Sequence, residues 1–167
     1  MSTVEGGERH APGAGSEAPP QPSLARRLRH LHPGVVLAVL DLIGIAVAIY
    51  LSTVELQGEV PYCGPLHGCE TVAQSSYSHI AGLPVAVLGV GFSLVLLGLA
   101  VAWWRSGDRR LLAGHYGLSL VGVIFVAYLT YLELFVIQAI CVWCVSFAAS
   151  VVLGFLVALV AWVRTPA

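Results

Sequence analysis

The chain has 167 residues, 57% hydrophobic and only 10% charged, where a soluble domain carries roughly one-quarter charged residues. That excess excludes an ordinary soluble domain, and with a formal net charge of −1 and no lysine no nucleic-acid partner is expected. The composition is that of an all-α membrane protein.

Residues 1–34 are rich in Gly, Ala, Pro, Ser and Glu and lack the apolar side chains that offset ordering entropy, which predicts a disordered cytoplasmic tail. Arg26, Arg27 and Arg29 resemble the start of a signal peptide. The apolar block after them, Val35 to Leu56, is too long for a signal-peptide core and is expected to stay as an uncleaved first span. Gln57 to Gly82 then forms a loop in which Gly58, Pro61, Gly64, Pro65 and Gly68 surround Cys63 and Cys69, a composition that opposes long regular structure. Within it, Glu70 to Ile80 is predicted as a short interfacial helix stopped at Gly82, with Pro84 in the first turn of the next span.

Three more apolar blocks follow: Pro84 to Trp104, Leu111 to Ile137 and Cys141 to Trp162. At about 1.5 Å per residue each of the four crosses a hydrocarbon core of about 30 Å. The prediction is one four-transmembrane-helix bundle over 35–163, with 164–167 as a short tail. Two carboxylates fall inside spans, where ionisable groups are functional candidates. Asp41 lies toward the inner end of the first span and suggests a polar contact there. Glu133, near the outer end of the third, is either an interfacial carboxylate reaching water or a helper of proton transfer.

All eight basic residues are arginine. Arg9, Arg26, Arg27 and Arg29 precede the first span, Arg105, Arg109 and Arg110 separate the second and third, and Arg164 follows the fourth. The other two connections carry none, so the positive-inside rule puts both termini in the cytoplasm. Trp103, Trp104 and Trp162 fit anchors at the inner interface, and Tyr50, Tyr128, Tyr131 and Trp143 at the outer one.

All four cysteines therefore face the oxidising, extracytoplasmic side. Cys141 and Cys144 are one helical turn apart, the first at a helix N-terminus that favours a thiolate, the second deeper, within reach of an apolar molecule in the bilayer. The loop pair is mobile and the helix pair fixed, an arrangement suited to relayed thiol–disulfide exchange ending on a lipophilic acceptor.

The ordered combination "CGPLHGC", "ETVAQSSY" and "GLP" before the second span, with "CVWC" opening the last, resembles the vitamin K epoxide reductase family, in particular its bacterial thiol-oxidising members, over roughly Val35 to Trp162. The resemblance implies a four-helix bundle around a quinone near the outer surface. By position, Cys63 would exchange with a thioredoxin-like partner, Cys69 would pass electrons to Cys141, and Cys144 would face the quinone, with Ser75 and Tyr77 beside it. The family's animal members have a tyrosine four residues after the last cysteine; here Ala148 stands in that place. Some bacterial members carry a fused thioredoxin-like domain, whereas this chain ends soon after its last span, so a separate DsbA-type extracytoplasmic partner is expected. The implied activity is a quinone-dependent thiol–disulfide oxidoreductase supporting disulfide bond formation in the cell membrane, using menaquinone or ubiquinone.

Two other readings compete. The cysteines are structural disulfides in a non-catalytic membrane protein, or Cys63, His67, Cys69 and His79 hold zinc. A third frame, the unrelated four-span oxidase DsbB, has its two pairs in the opposite order.

Overall fold

The computed structural model of the protein describes residues 32–63, 68–80 and 82–165. The predicted tail at 1–31, four of the arginines, Gly64, Pro65 and His67 lie outside them. Five helices organise the rest: α1 (Pro33–Leu56), α2 (Gly68–Ala73), α3 (Val85–Ser106), α4 (Arg109–Tyr131) and α5 (Val142–Arg164). A π-helical turn, Leu132–Ile137, extends α4. Four helices are long and apolar enough to span a membrane: α1, α3, α4 with its π turn, and α5.

Local chemistry sets the helix ends. His32 caps α1 by accepting the Gly34 N–H at 3.1 Å, ahead of Pro33 at the first position, where a missing N–H costs nothing. Gly107 closes α3 at φ 68, and Asp108 opens α4 by accepting the Arg110 N–H at 2.9 Å, so a two-residue turn reverses the chain. At the far end of α4, Gln138 takes a left-handed φ of 56.

The spans close into a ring. α1 packs on α3 and α5, and α4 packs on α5 and α3, which leaves α1 and α4 diagonal to one another. Small residues permit close approach: Gly44 lies against Ser93 and Ser150, Gly89 against Phe147, and Gly122 against Phe92. Outward faces carry Leu42, Leu94, Val121 and Ile124, all exposed, as a lipid-facing surface requires.

The end carrying Arg105, Arg109 and Arg164 holds a core in which Leu37, Ala100, Leu112 and Ala158 are fully buried. Tyr116 stacks between Phe155 and Trp162, and the Arg109 guanidinium covers the Trp162 ring at 4.2 Å. Arg109 begins α4 and Trp162 lies in the last turn of α5, so this contact marks the arginine end, opposite the cysteines. One turn above the core, Asp41 of α1 meets His115 of α4 across the diagonal, Oδ2 to Nε2 3.3 Å. Both are buried.

The loop departs from expectation. Its helix is Gly68–Ala73, not Glu70 to Ile80, and Pro84 caps α3 rather than lying in its first turn. The reason is serine competition for backbone groups. Ser75 Oγ donates to the Val72 carbonyl at 2.7 Å and Ser78 Oγ to the Ser75 carbonyl at 2.9 Å, ending the helix in turns. A two-stranded hairpin follows, His79–Ile80 pairing antiparallel with Leu83–Pro84, its reversal using Gly82 at φ 82.

Candidate functional site

Cys141 is the N-cap of α5, and its sulfur accepts the Cys144 N–H at 3.3 Å. The two thiols are free. Donation from the Cys144 thiol, then from the Cys144 and Trp143 N–H groups, pulls the Cys141 thiol below its ordinary value, against burial and the Glu133 carboxylate. A helix N-terminus has this effect because its unpaired N–H groups favour negative charge. Cys141 lies just outside the span and is 2% exposed; Cys144 is the more accessible of the pair.

Cys63 and Cys69 are joined in a disulfide, with Cα atoms 5.9 Å apart. Cys69 is 1% exposed and Cys63 is partly exposed, so the disulfide reaches from the surface to the interior. Gly68 fixes this placement. Its α-carbon lies so close to the Ile140 carbonyl that an added Cβ would collide with it. The start of α2 is thereby pressed on the residue preceding Cys141.

A second tether comes from inside the Cys-x-x-Cys. The Trp143 indole N–H donates to the Tyr62 carbonyl at 2.9 Å, and its ring lies 4.5 Å from that of Tyr50. Tyr50 Oη in turn accepts the Tyr62 N–H at 3.3 Å. The residue before Cys63 is thus held on both backbone sides. Trp143 and Tyr50, expected as interfacial anchors, are the loop's fastenings.

Beneath the cysteines lies a cavity of about 330 Å³, within the range of small-molecule sites. Cys69, Cys141 and Cys144 border it together with Ser75 and Tyr77, and its walls include Phe92, Phe125, Phe147 and Ala148. Of the residues expected at the site, only Cys63 lies off this cavity. Ser75 borders it with its proton already engaged by Val72. Glu133 is buried and accepts the Cys141 N–H on Oε2 at 3.3 Å, so the interfacial reading of this carboxylate fails. The π turn helps bring it there, since the extra residue redirects the carbonyl of Glu133 to the N–H groups of Gln138 and Ala139.

The model of the vitamin K epoxide reductase family matches residues 35–159. The chain belongs to the vitamin K epoxide reductase family. No curated protein matches it. As a family member it is a multi-pass membrane thiol oxidoreductase, and vitamin K epoxide reductase family proteins are generally quinone-linked. The cavity suits such a partner: aromatic and aliphatic walls for a ring and its tail, with a few polar groups at the sulfur end. The disulfide between Cys63 and Cys69 also leaves neither as a thiolate for the zinc reading.

Glu55 was not singled out by sequence. It sits in the last turn of α1, borders the same cavity, and lies 3.6 Å from His79 Nε2. A carboxylate within an apolar span was the available signal, masked by its nearness to the end of the block.

Proposed function

We propose that the protein oxidises the dithiol of a separate thioredoxin-like, DsbA-type extracytoplasmic protein and passes the electrons to a membrane quinone, menaquinone or ubiquinone, supporting disulfide bond formation. The observation that carries this reading is that the inner sulfur of the loop disulfide and both helix thiols border one apolar cavity. The arginines at the opposite end support placing the cysteines outside the cytoplasmic membrane.

Cys63, the more exposed sulfur, receives the partner's thiolate. The Cys63–Cys69 bond breaks, a mixed disulfide forms at Cys63, and the partner's second thiol displaces it, leaving two reduced loop thiols. Cys69 then attacks the helix disulfide at Cys141 and releases Cys144. Cys63 in turn attacks Cys69, restores the loop disulfide and leaves both helix thiols reduced. A loop disulfide over free helix thiols, the pairing in the structure, supports this order of transfer. A bound quinone would supply a two-electron, two-proton sink. Phe92, Phe125 and Phe147 would exclude water from it, with Ser75, Tyr77 and Cys144 as the polar and sulfur groups of the cavity that would hold it.

The test is quinone reduction by purified protein in detergent, driven by a reduced thioredoxin-like partner or by a small dithiol. Cys144→Ala is expected to be inactive with both donors and Cys63→Ala to fail mainly with the protein donor. Absence of quinol from wild type with either donor, its cysteines remaining disulfide-bonded, would overturn the reading.

A further inference from the structure

Quinone reduction takes two electrons and two protons, and a helix pair that enters as one thiol and one thiolate brings only one of the protons. The cavity walls are mostly apolar and carry two carboxylates, Glu55 and Glu133. Glu133 is buried against the Cys141 N–H, whereas Glu55 faces a half-exposed imidazole.

Its position is built by three elements. α1 brings Glu55 to the cavity wall. The hairpin holds His79 opposite Pro84, with the imidazole about half exposed to solvent and Nε2 at 3.6 Å from Glu55 Oε1. That oxygen is buried and has no hydrogen-bond partner among the described residues. Ser78 Oγ lies 2.8 Å from His79 Nδ1.

Ser78 Oγ also lies 2.9 Å from the Ser75 carbonyl; when its proton goes to that carbonyl, Oγ accepts from an Nδ1–H imidazole, the tautomer that leaves Nε2 free to exchange a proton with Glu55. Nε2 is then either protonated, facing a carboxylate, or bare, facing a carboxylic acid. In both states the pair holds one proton between solvent and cavity.

We propose that His79 and Glu55 form a proton relay from the outer water to the quinone oxygen in the cavity. The inference rests on the proposed quinone reduction and deepens it. The Glu55 O–H bond breaks as an O–H bond forms on the acceptor; outer water then protonates the bare Nε2 of His79, and the Glu55 carboxylate takes that proton. The balance closes: a helix pair entering as one thiol and one thiolate forms its S–S bond, giving up two electrons and one proton, and Glu55 supplies the second proton. The other titratable groups on the cavity are Tyr77 from the outer segment, Glu133 from the end of α4, and Cys141 and Cys144.

The relay is read first without quinone, by nitrogen-15 NMR of histidine-labelled full-length protein, with His79 assigned by its loss in His79→Gln. The expected result is an Nδ1–H imidazole whose Nε2 resonance moves in Glu55→Gln, because the acid facing that nitrogen is replaced by an amide. An Nε2–H imidazole, or identical His79 resonances in both proteins, overturns the relay. Single-turnover quinol formation from prereduced protein is then expected to slow at least about tenfold in Glu55→Gln, with partial recovery in Glu55→Asp, and in His79→Ala to be rescued by added imidazole. Partner exchange at Cys63 should hold at its wild-type rate. A wild-type rate and pH profile in Glu55→Gln overturns the relay while leaving quinone reduction intact. A wild type that forms no quinol overturns the underlying function, and with it the relay.

Discussion

The Trp143 indole donates to the Tyr62 carbonyl at 2.9 Å, so a residue between the helix cysteines holds the backbone next to a loop cysteine. The middle of the Cys-x-x-Cys thereby orients both pairs. Trp143→Phe keeps the ring against Tyr50 and removes only this bond, worth about 0.5–1.5 kcal/mol. Electron transfer from partner to helix pair is expected to slow by up to about tenfold, while single-turnover quinol formation from prereduced helix thiols stays unchanged. Stopped-flow absorbance separates the two.

Gly68→Ala tests the other tether. Backbone at Ile140 cannot yield like a flexible side chain, so α2 must move off α5. Transfer from Cys69 to Cys141 is expected to fall further than in Trp143→Phe, with the Cys63–Cys69 disulfide still forming. Mass spectrometry of trapped mixed disulfides measures both.

The Cys141 thiol is lowered first by donation from Cys144. Its alkylation midpoint should therefore lie below the ordinary cysteine value of about 8.5. Cys144→Ala removes the donor, the midpoint rises, and labelling at a fixed pH below it slows because less thiolate is present. An unmoved midpoint would assign the effect to the helix N-terminus alone.

Glu133 receives the buried Cys141 N–H. Glu133→Leu leaves that donor without a partner at a cost of about 1–3 kcal/mol, whereas Glu133→Gln keeps an oxygen there. Thermal unfolding in detergent should rank wild type and Gln together, well above Leu.

Gln138 sits at φ 56, a left-handed conformation that costs a residue with a Cβ roughly 1–2 kcal/mol. Gln138→Gly is expected to hold or raise the melting temperature and Gln138→Val to lower it, the β-branch worsening the clash.

Long-range apolarity and charge made the membrane frame legible: each predicted block falls within a few residues of an observed span. The sulfurs, Ser75 and Tyr77 could be read from their order. What escaped sequence was decided by contacts between distant segments. Nothing near Trp143 in sequence announces Tyr62, 81 positions away, and nothing near Glu55 announces His79. The loop helix was misplaced for a local reason, since serines able to cap their own backbone look like helix residues until the hydroxyls choose a partner.

The diagonal contact of Asp41 with His115 has a bearing on the far end of the molecule. α1 and α4 touch little directly, yet both wall the cavity, so the pair acts as a spacer bar setting the gauge between two opposed rails. Shortening it, as in Asp41→Ala, would let the rails drift. The width of the cavity beside the sulfurs is thus gauged from the opposite end of the bundle, by residues that never meet a sulfur.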